Sequence, residues 1–352
     1  AGFPAESSGL LVSGGSMANF VGLAVARNSR SGVDVRAEGV VAIPRPLMTY
    51  ASVEVNSCVQ KAIESLGLGA RSLRKVPVNA DFEIDIGALE RMIAEDRAAG
   101  RQPFCVIGNA ATINTGATDD LDALATLCER EQLWFHVDGA IGALLALAPG
   151  HRHLVRGMER ADSVTLDLHK WLHVPFEAAC VLVRDRRAHR EAFALTPEYL
   201  ERTERGLASG ALWFSEYGLQ LSRGFRALKV WLSIKEHGLD RFGRLIDRNI
   251  AQAHELAALV AAEPELELLA PVATNIVCFR YNPGSLGDEQ LNALNEELLI
   301  RLHESGIAAP SYTTLRGRYC LRAAIVNFRT TSADLPVLVS AVREIGASLP
   351  RP

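Results

Sequence analysis

Cysteine pairs and long apolar runs are both absent from this sequence. Its six cysteines are scattered along 352 residues, with no C-x-x-C pair and no spacing typical of a metal site. This usage predicts a reduced, cytoplasmic protein. No apolar run reaches the roughly 18 uncharged residues that a membrane-spanning helix needs, and the first residues lack the basic and apolar regions of a signal peptide. Membrane, fibrous and disordered classes are therefore excluded.

An excess of charge of one sign is also absent. Acidic residues number 41 and basic residues 37, which gives a formal net charge of −4. This balance provides no net attraction to nucleic acid or to an anionic membrane, so we expect neither as a partner. The composition, with 48% hydrophobic and 22% charged residues, is that of a well-packed globular protein. Lysine is scarce, and only five residues are candidates for lysine chemistry.

Short apolar runs alternate with amphipathic segments along the first part of the chain. This alternation predicts an α/β fold with a mostly parallel sheet. Strands are predicted at residues 40–43, 47–50, 104–108, 133–137, 163–166 and 178–183. Helices are predicted at residues 17–27, 56–66, 86–98 and 119–132.

After residue 228 the pattern changes to longer helices separated by single strands. Helices are predicted at residues 224–236, 239–262, 288–305 and 333–348, and strands at 275–280 and 319–326. This order indicates a large domain over residues 1–235 and a smaller C-terminal α+β domain over residues 236–352.

Two strand ends and one helix start carry the polar residues of a candidate site. Asp138 follows one predicted strand, and His169 and Lys170 follow the next. Ligands of open α/β sheets bind beyond the carboxyl ends of strands, so Asp138 and Lys170 are expected to meet there. A lysine that forms a Schiff base and an aspartate that keeps a pyridine nitrogen protonated are what a pyridoxal 5'-phosphate (PLP) enzyme requires. The Gly14-Gly15-Ser16 segment before a helix supplies backbone N–H groups for a phosphate.

Five segments in this order carry a family resemblance that covers nearly the whole chain. They are residues 12–19 (VSGGSMAN), 136–140 (HVDGA), 167–171 (DLHKW), 221–231 (LSRGFRALKVW) and 326–331 (VNFRTT). In these segments the sequence resembles the group II PLP-dependent amino acid decarboxylases, which include aromatic amino acid, histidine and glutamate decarboxylases. The resemblance implies fold type I of the PLP-dependent transferases, with a large, mostly parallel seven-stranded sheet and a smaller C-terminal domain.

The resemblance also implies site residues. Lys170 would bind the cofactor covalently and Asp138 would hold the pyridine nitrogen, while Ala140 would pack beneath the ring. The phosphate is expected at Gly15, Ser16 and His169, with Asp167 beside them. Lys170, Tyr199, Asp138 and His169 are the expected catalytic residues.

Three further positions are each given two interpretations. Tyr199 matches the tyrosine of the family's mobile loop, which reaches the partner subunit's site and protonates the substrate carbon; alternatively it is a surface aromatic. Ser222 matches a position that approaches the phosphate across the subunit interface, or is an ordinary serine at the start of a helix. Arg322 lies where glutamate decarboxylases bind a substrate carboxylate, or is a partner in a structural ion pair. A homodimer with shared active sites is expected.

The sequence departs from the family near the cofactor ring. Asn56 replaces the histidine that stacks on the ring, and Ile113, next to Thr112 at the cofactor, replaces a hydroxyl residue. Asparagine at this position occurs in insect aldehyde synthases, whereas Tyr199 favours the amine product. Relatives carry an additional N-terminal segment that lines the substrate pocket, and the printed sequence starts at the phosphate region, so the substrate stays open.

We therefore expect decarboxylation of an aromatic or otherwise bulky L-amino acid to the amine and CO₂. The alternatives are an aldehyde synthase, another PLP enzyme class such as an aminotransferase, sulfinate decarboxylase or carbon–carbon lyase, and a catalytically inactive PLP-binding paralogue. Each is distinguished by its product with a panel of amino acids.

Overall fold

The larger of two β-sheets forms from the first half of the chain. The structure, a computed structural model, describes residues 2–195, 205–206 and 212–350. Within these residues the large sheet has seven strands: β1 (Ser8–Val12), β2 (Leu47–Ser52), β3 (Leu73–Val76), β4 (Gln102–Asn109), β5 (Trp134–Asp138), β6 (Ser163–Asp167) and β7 (Ala179–Val183). Their spatial order is β1-β7-β6-β5-β4-β2-β3. The five strands from β6 to β3 are mutually parallel, and β7 and β1 are antiparallel to their neighbours.

The smaller sheet and the helices complete an α/β fold of the expected class. The small antiparallel sheet has the order β10-β11-β9-β8. Its strands are β8 (Leu266–Leu268), β9 (Ile276–Tyr281), β10 (Ser311–Leu315) and β11 (Arg318–Ala324). The helices are α1 (Gly15–Arg30), α2 (Val35–Glu38), α3 (Ser57–Ser65), α4 (Ile86–Ala98), α5 (Leu121–Glu131), α6 (Arg186–Phe193), α7 (Arg226–His237), α8 (Leu239–Ala262), α9 (Asp288–Ser305) and α10 (Asp334–Ser348). The domain boundary at residue 236 stays a prediction.

Alternation along the central strands separates two apolar cores. Val106 of β4 packs in the core that contains α4 and α5, whereas the next residue, Ile107, packs in the core that contains α1 and α3. Successive side chains of a strand point to opposite faces, and helices cover both faces of this sheet. The central strands are therefore buried on both sides, and their polar residues cluster where the strands end.

The prediction of a strand at residues 40–43 is wrong. Residues Val40–Ala42 form a short 3₁₀ helix, and Val41 is 91% exposed. The backbone at Gly39 has a φ of 75°, and Pro44 follows the segment, so the run is bounded by turns and pairs with no strand among the described residues. An apolar run of this length predicts a strand only where a neighbouring strand is available.

Four of the strands were not predicted from the sequence, and the residues of each strand explain why. β3 carries Arg74 and Lys75 at the edge of the large sheet, and β8 has only three residues. β10 alternates exposed and buried residues and contains few apolar side chains, while β1 is a short apolar run next to the chain start. In the described part of the chain, no helix combines the length and the apolar character needed to span a membrane.

Candidate active site

Three neighbouring parallel strands end in polar residues at one edge of the large sheet. Asn109, Asp138 and Asp167 are the last residues of β4, β5 and β6, and Asn109 lies directly beside Asp138 in the strand register. Beyond these ends lies a cavity of about 530 Å³, which is also lined by Lys170, His169 and the start of α1. The structure therefore places Asp138 and Lys170 in the walls of one cavity, as the sequence predicted.

The Asp138 carboxylate is buried and hydrogen-bonded. Its Oδ2 accepts a bond from Nδ2 of Asn19 at 3.0 Å, and its Oδ1 accepts one from the Ala140 backbone N–H at 3.2 Å. Burial raises the pKa of Asp138, while these two donors and the nearby Lys170 ammonium oppose the rise. A buried carboxylate of this kind gains from a cationic or N–H donor in the cavity.

Lys170 is held at the cavity wall by the carboxylate of Asp167. Its Nζ lies 3.0 Å from Asp167 Oδ2. The other oxygen, Oδ1, is buried and has no hydrogen-bond partner among the described residues. This contact gives Asp167 a role at the lysine, whereas its predicted role at the phosphate stays a prediction.

His169 has its ring fixed by two contacts. Its Nδ1 accepts a hydrogen bond from the Ala178 backbone N–H at 3.1 Å, and the Phe176 ring stacks on it with centroids 4.4 Å apart. Because Nδ1 is an acceptor, the neutral ring carries its proton on Nε2, which lies 3.7 Å from Asp167 Oδ2. His169 therefore presents a donor toward the cavity.

The N-terminus of α1 opens onto the same cavity without a side-chain cap. Gly14 precedes the helix, makes no side-chain hydrogen bond, and is followed by a first turn that has no acidic residue. A Cβ atom at Gly15 would lie 2.9 Å from Asp167 Oδ2, so only glycine allows this approach. Gly15 and Ser16 thus supply free backbone donors at a positive helix end, which suits an anion.

The positions that depart from the family line this cavity as well. Asn56 is the N-cap of α3, where its Oδ1 accepts a hydrogen bond from the Cys58 backbone N–H at 2.9 Å. Thr112 is buried and its hydroxyl pairs with that of Thr115 at 3.0 Å. Asn56, Thr112, Ile113 and Ala140 all line the cavity. Their roles toward a cofactor stay predictions.

Arg322 reaches the cavity from the small sheet, and its alternative role in a structural ion pair finds no partner among the described residues. Its Nε donates to the carbonyl of Ile113 at 2.7 Å and its Nη1 to the Ser311 hydroxyl at 3.0 Å. Within the described ranges no carboxylate lies at ion-pair distance from it. Its guanidinium is therefore held by neutral acceptors at the cavity wall, and burial lowers its pKa.

Ser222 is not brought to this cavity. Ser222 is exposed in a loop and lies outside the cavity lining, and α7 begins only at Arg226, so a serine at the helix start is the wrong interpretation. Its approach to a phosphate across a subunit interface stays a prediction. Tyr199 lies outside the described residues.

Several cavity residues were missed by the sequence reasoning. Asn109 ends a strand beside Asp138 and could have been found from that position. Asn19 lies one helical turn after Gly15, and this spacing was the signal available in the sequence. Phe176 and Glu177 follow Lys170 in a loop, where no pattern marks them.

The donor set of the cavity fits PLP. A helix N-terminus with free N–H groups suits the phosphate, a buried carboxylate suits a protonated pyridine nitrogen, and a primary amine suits the aldehyde. Each of these groups lines the same cavity. Asp138, Lys170, Gly15 and Ser16 would be the residues that hold it.

Comparison with known proteins supports the same cofactor. Residues 2–282 match the family model of the pyridoxal-dependent decarboxylase conserved domain. An aromatic-L-amino-acid decarboxylase of Bacillus atrophaeus is 37% identical over 345 residues, which cover 98% of this chain and 70% of that protein. A phenylacetaldehyde synthase of Arabidopsis thaliana is 30% identical over 281 residues, covering 79% of this chain and 57% of that protein. The crystal structure of Oryza sativa TDC with PLP and tryptamine has a TM-score of 0.89 at 26% identity, covering 97% of this chain and 70% of that one.

Proposed function

The chain belongs to the pyridoxal-dependent decarboxylase family, whose members are PLP-dependent carboxy-lyases, and we propose that it converts an aromatic or similarly bulky L-amino acid to the amine and CO₂. The observation that carries this proposal is the placement of Asp138 and Lys170 in the walls of one cavity. A carboxylate and an amine at these positions match the two ends of a pyridoxal ring.

Each residue of the cavity would have a distinct role in this reaction. Bound PLP supplies an electron sink for the bond that breaks at the substrate α carbon. Asp138 would hold the proton on the pyridine nitrogen, and Lys170 would bind the cofactor aldehyde covalently. Gly15, Ser16 and His169 bind the phosphate. After CO₂ leaves, Tyr199, which lies outside the described residues, donates the proton that replaces it.

The walls of the cavity support a bulky apolar substrate with an anionic group. Ile113 and Phe176 line the cavity and are 50% and 81% exposed, so both offer apolar surface to an entering side chain. Arg322 lines the same cavity and offers a guanidinium cation for a carboxylate. The names of the relatives, an aromatic-L-amino-acid decarboxylase among them, support the same substrate class.

We also propose that the enzyme is a homodimer. Of the twelve residues of α7, all within the described chain, none is buried, although the helix carries apolar side chains. Leu228, Trp231 and Leu232 of α7 are at least 45% exposed, and Leu221 and Phe225 before it are exposed as well. A contiguous apolar surface of this kind supports a partner subunit.

The scattered free cysteines support a reducing, cytoplasmic location.

Incubation of the PLP-loaded enzyme with the twenty amino acids and dihydroxyphenylalanine tests the proposal. CO₂, amine, aldehyde and peroxide are measured together, with Lys170→Ala as the control. CO₂ and amine from an aromatic substrate support the proposal. Conversion of an α-keto acid acceptor would indicate a transaminase, and the absence of turnover with every substrate would indicate a PLP-binding paralogue.

A second candidate is decarboxylation coupled to oxidation, which yields an aldehyde, ammonia and peroxide. The Asn56 side chain favours it, because an amide at the cavity wall cannot stack or exchange protons as an imidazole does. The similarity to a phenylacetaldehyde synthase points in the same direction. Consumption of O₂ in step with CO₂ release would distinguish this activity from simple decarboxylation.

A further inference from the structure

The face of β5 that carries Asp138 also carries a buried histidine. Phe135 and Val137 point into the core that contains α5, so the alternating residues His136 and Asp138 point toward α1. His136 is fully buried beneath that helix. A polar ring at this depth needs a hydrogen-bond partner at each nitrogen.

Four hydrogen bonds connect this histidine to Asp138 and to the interior. The Trp134 Nε1–H donates to the Ser163 hydroxyl at 2.8 Å, and that hydroxyl lies 2.7 Å from Nδ1 of His136. On the other side, Nε2 of His136 lies 2.8 Å from Oδ1 of Asn19. The amide nitrogen of Asn19 then donates to Asp138 Oδ2 at 3.0 Å.

The donor and the acceptor of each of these four hydrogen bonds can be assigned from the two residues at the ends, Trp134 and Asp138. An indole nitrogen can only donate, so the Ser163 hydroxyl accepts from Trp134 and gives its own hydrogen to Nδ1 of His136, the only acceptor it reaches in the described part of the chain. At the other end a carboxylate can only accept, so the Asn19 amide nitrogen faces Asp138 and its oxygen faces His136. Both ends assign the same tautomer, with the proton on Nε2.

The protonation state of the ring agrees with this assignment. Burial lowers the pKa of His136 to about 3, so the ring is neutral at physiological pH. A neutral ring with Nδ1 as acceptor must donate from Nε2. In all four hydrogen bonds the donor therefore lies on the Trp134 side and the acceptor on the side of the Asp138 carboxylate.

Gly22 allows α1 to lie directly on this ring. A Cβ atom there would lie 2.9 Å from Cε1 and 3.0 Å from Nδ1 of His136. The ring is held at both nitrogens, so it has little room to move away. The contact offers a way to disturb His136 without altering any group that lines the cavity.

We propose that His136 is a positioning residue that, through Asn19, orients the Asp138 carboxylate and favours its ionised form for the pyridine nitrogen of the cofactor. This inference rests on the proposed role of Asp138. The Asn19 donor stabilises the charged carboxylate more than the neutral acid, and His136 fixes the amide so that its nitrogen faces Asp138. The other titratable groups near Asp138 are Lys170, Asp167 and Cys58, and the variants below leave all three in place.

The variants His136→Leu and Gly22→Ala test the inference, with His189→Leu as the matched control. His189 is as deeply buried and bonds at both nitrogens, to the Ser8 hydroxyl at 2.8 Å and the Tyr217 carbonyl at 2.9 Å, but lies away from the cavity. His136→Gln keeps an amide N–H that can reach Asn19 and serves as the conservative rescue. Asp138→Asn reports on the proposed function itself.

The measurements are the dissociation constant of PLP as a function of pH and the ring ¹⁵N shifts of His136 in cofactor-free protein. We expect His136→Leu to weaken PLP binding about tenfold and to move the loss of affinity at acid pH upward by about one unit, because the pKa of Asp138 rises. Gly22→Ala shifts both quantities in the same direction, and His136→Gln restores most of the affinity. The ¹⁵N shifts show a neutral ring that is protonated at Nε2.

Each alternative outcome is decisive. If PLP affinity and its pH profile in His136→Leu and Gly22→Ala equal those in His189→Leu, or if the ring is protonated at Nδ1, the positioning role is refuted. If Asp138→Asn leaves PLP affinity unchanged, the proposed role of Asp138 fails instead. If a leucine variant does not fold, Gly22→Ala and the ¹⁵N shifts of the native protein still decide.

Discussion

The side-chain nitrogen of Lys170 lies 3.0 Å from Oδ2 of Asp167, three residues earlier in the chain. The two side chains differ in exposure, because Asp167 is 4% exposed and Lys170 is 41% exposed. The buried Asp167 carboxylate therefore holds the Lys170 amine in place, while the amine stays accessible to a reactant in the cavity. The short turn after β6 produces this arrangement locally, whichever ligand the cavity takes.

Lys170 is predicted to be the single site of covalent PLP attachment. Reduction of the loaded protein with borohydride followed by peptide mapping should label Lys170 and leave Lys170→Ala unlabelled, because the other four lysines do not line the cavity. Lys170→Arg keeps the charge beside Asp167 and should also stay unlabelled. A label on Lys61, Lys75, Lys229 or Lys235 in the wild-type protein would contradict the assignment.

Arg322 is predicted to bind an anionic group of the substrate. Arg322→Gln should raise KM by roughly 10- to 100-fold with a smaller change in kcat, since a charge-assisted hydrogen bond contributes about 1.5–3 kcal/mol. The matched control is Arg318→Gln, because Arg318 lies on the same strand and pairs with Glu267 instead. Equal KM values for the two variants would remove Arg322 from substrate binding.

The strand ends of the site could be predicted from the sequence, and the residues behind them could not. Asp138 and Lys170 each follow an apolar run, and parallel strands bring such positions to one edge. His136 and Asn19 are 117 residues apart, on a strand and a helix, and no local pattern links them. Their contact depends on the packing of α1 on β5, which is a tertiary property.

The same distinction holds for the fold. The bounds of α4, α8 and α9 were predicted to the residue, because each is long and begins directly after a residue that suits a helix N-cap, namely Asp85, Gly238 and Gly287. The edge strand β3 was missed because charged residues interrupt its apolar pattern. At residues 40–43 the apolar run forms a 3₁₀ helix, since the tertiary structure offers it no partner strand.

His189 is predicted to make the stability of the fold depend on pH. Burial lowers its pKa to about 4 from the ordinary 6.5. Between these values the unfolded chain binds a proton that the folded chain does not, so stability is complete above pH 6.5 and falls as the pH approaches 4. The loss from this one residue is on the order of 3 kcal/mol.

Urea unfolding of wild type and His189→Leu at neutral and acid pH measures this contribution. The difference in free energy of unfolding between the two proteins should shrink as the pH falls, because only the wild type has the titrating ring. His254→Leu, at an exposed position, is the control for the replacement of a histidine by leucine as such. A constant difference for His189→Leu would show that this ring does not titrate on unfolding.

Shared active sites predict complementation between two inactive variants. Lys170→Ala lacks the cofactor lysine and Tyr199→Phe lacks the proposed proton donor. In a mixed dimer one site combines an intact lysine with an intact loop from the other subunit, so up to half of the sites in that dimer recover decarboxylation. The variants are co-expressed with different affinity tags and the mixed dimer is isolated. An inactive mixed dimer of confirmed composition would show that Tyr199 does not act in the partner's site.

Asn56→His is predicted to suppress aldehyde formation. Asn56 lines the cavity and caps α3 through its bond to the Cys58 backbone N–H. An imidazole there can stack on the cofactor ring and assist proton transfer, whereas the amide leaves the carbon from which CO₂ has departed more open to O₂. Protonation and oxidation compete, and a barrier difference of only about 1.4 kcal/mol changes their ratio tenfold. We therefore expect the wild type to form amine with some aldehyde, and Asn56→His to form amine almost exclusively.

Peroxide and aldehyde, measured under air and normalised to CO₂, decide between the two outcomes. Asn56→Asp is the matched control, because a carboxylate keeps the N-cap of α3 but cannot stack as an imidazole does. The stability of α3 in Asn56→Asp should equal that in wild type. Comparison of Asn56→Asp with Asn56→His therefore separates the loss of the cap from the change at the cofactor. Equal and negligible peroxide from wild type and Asn56→His would leave amine formation as the only activity, and Asn56 would then act at this site through its cap alone.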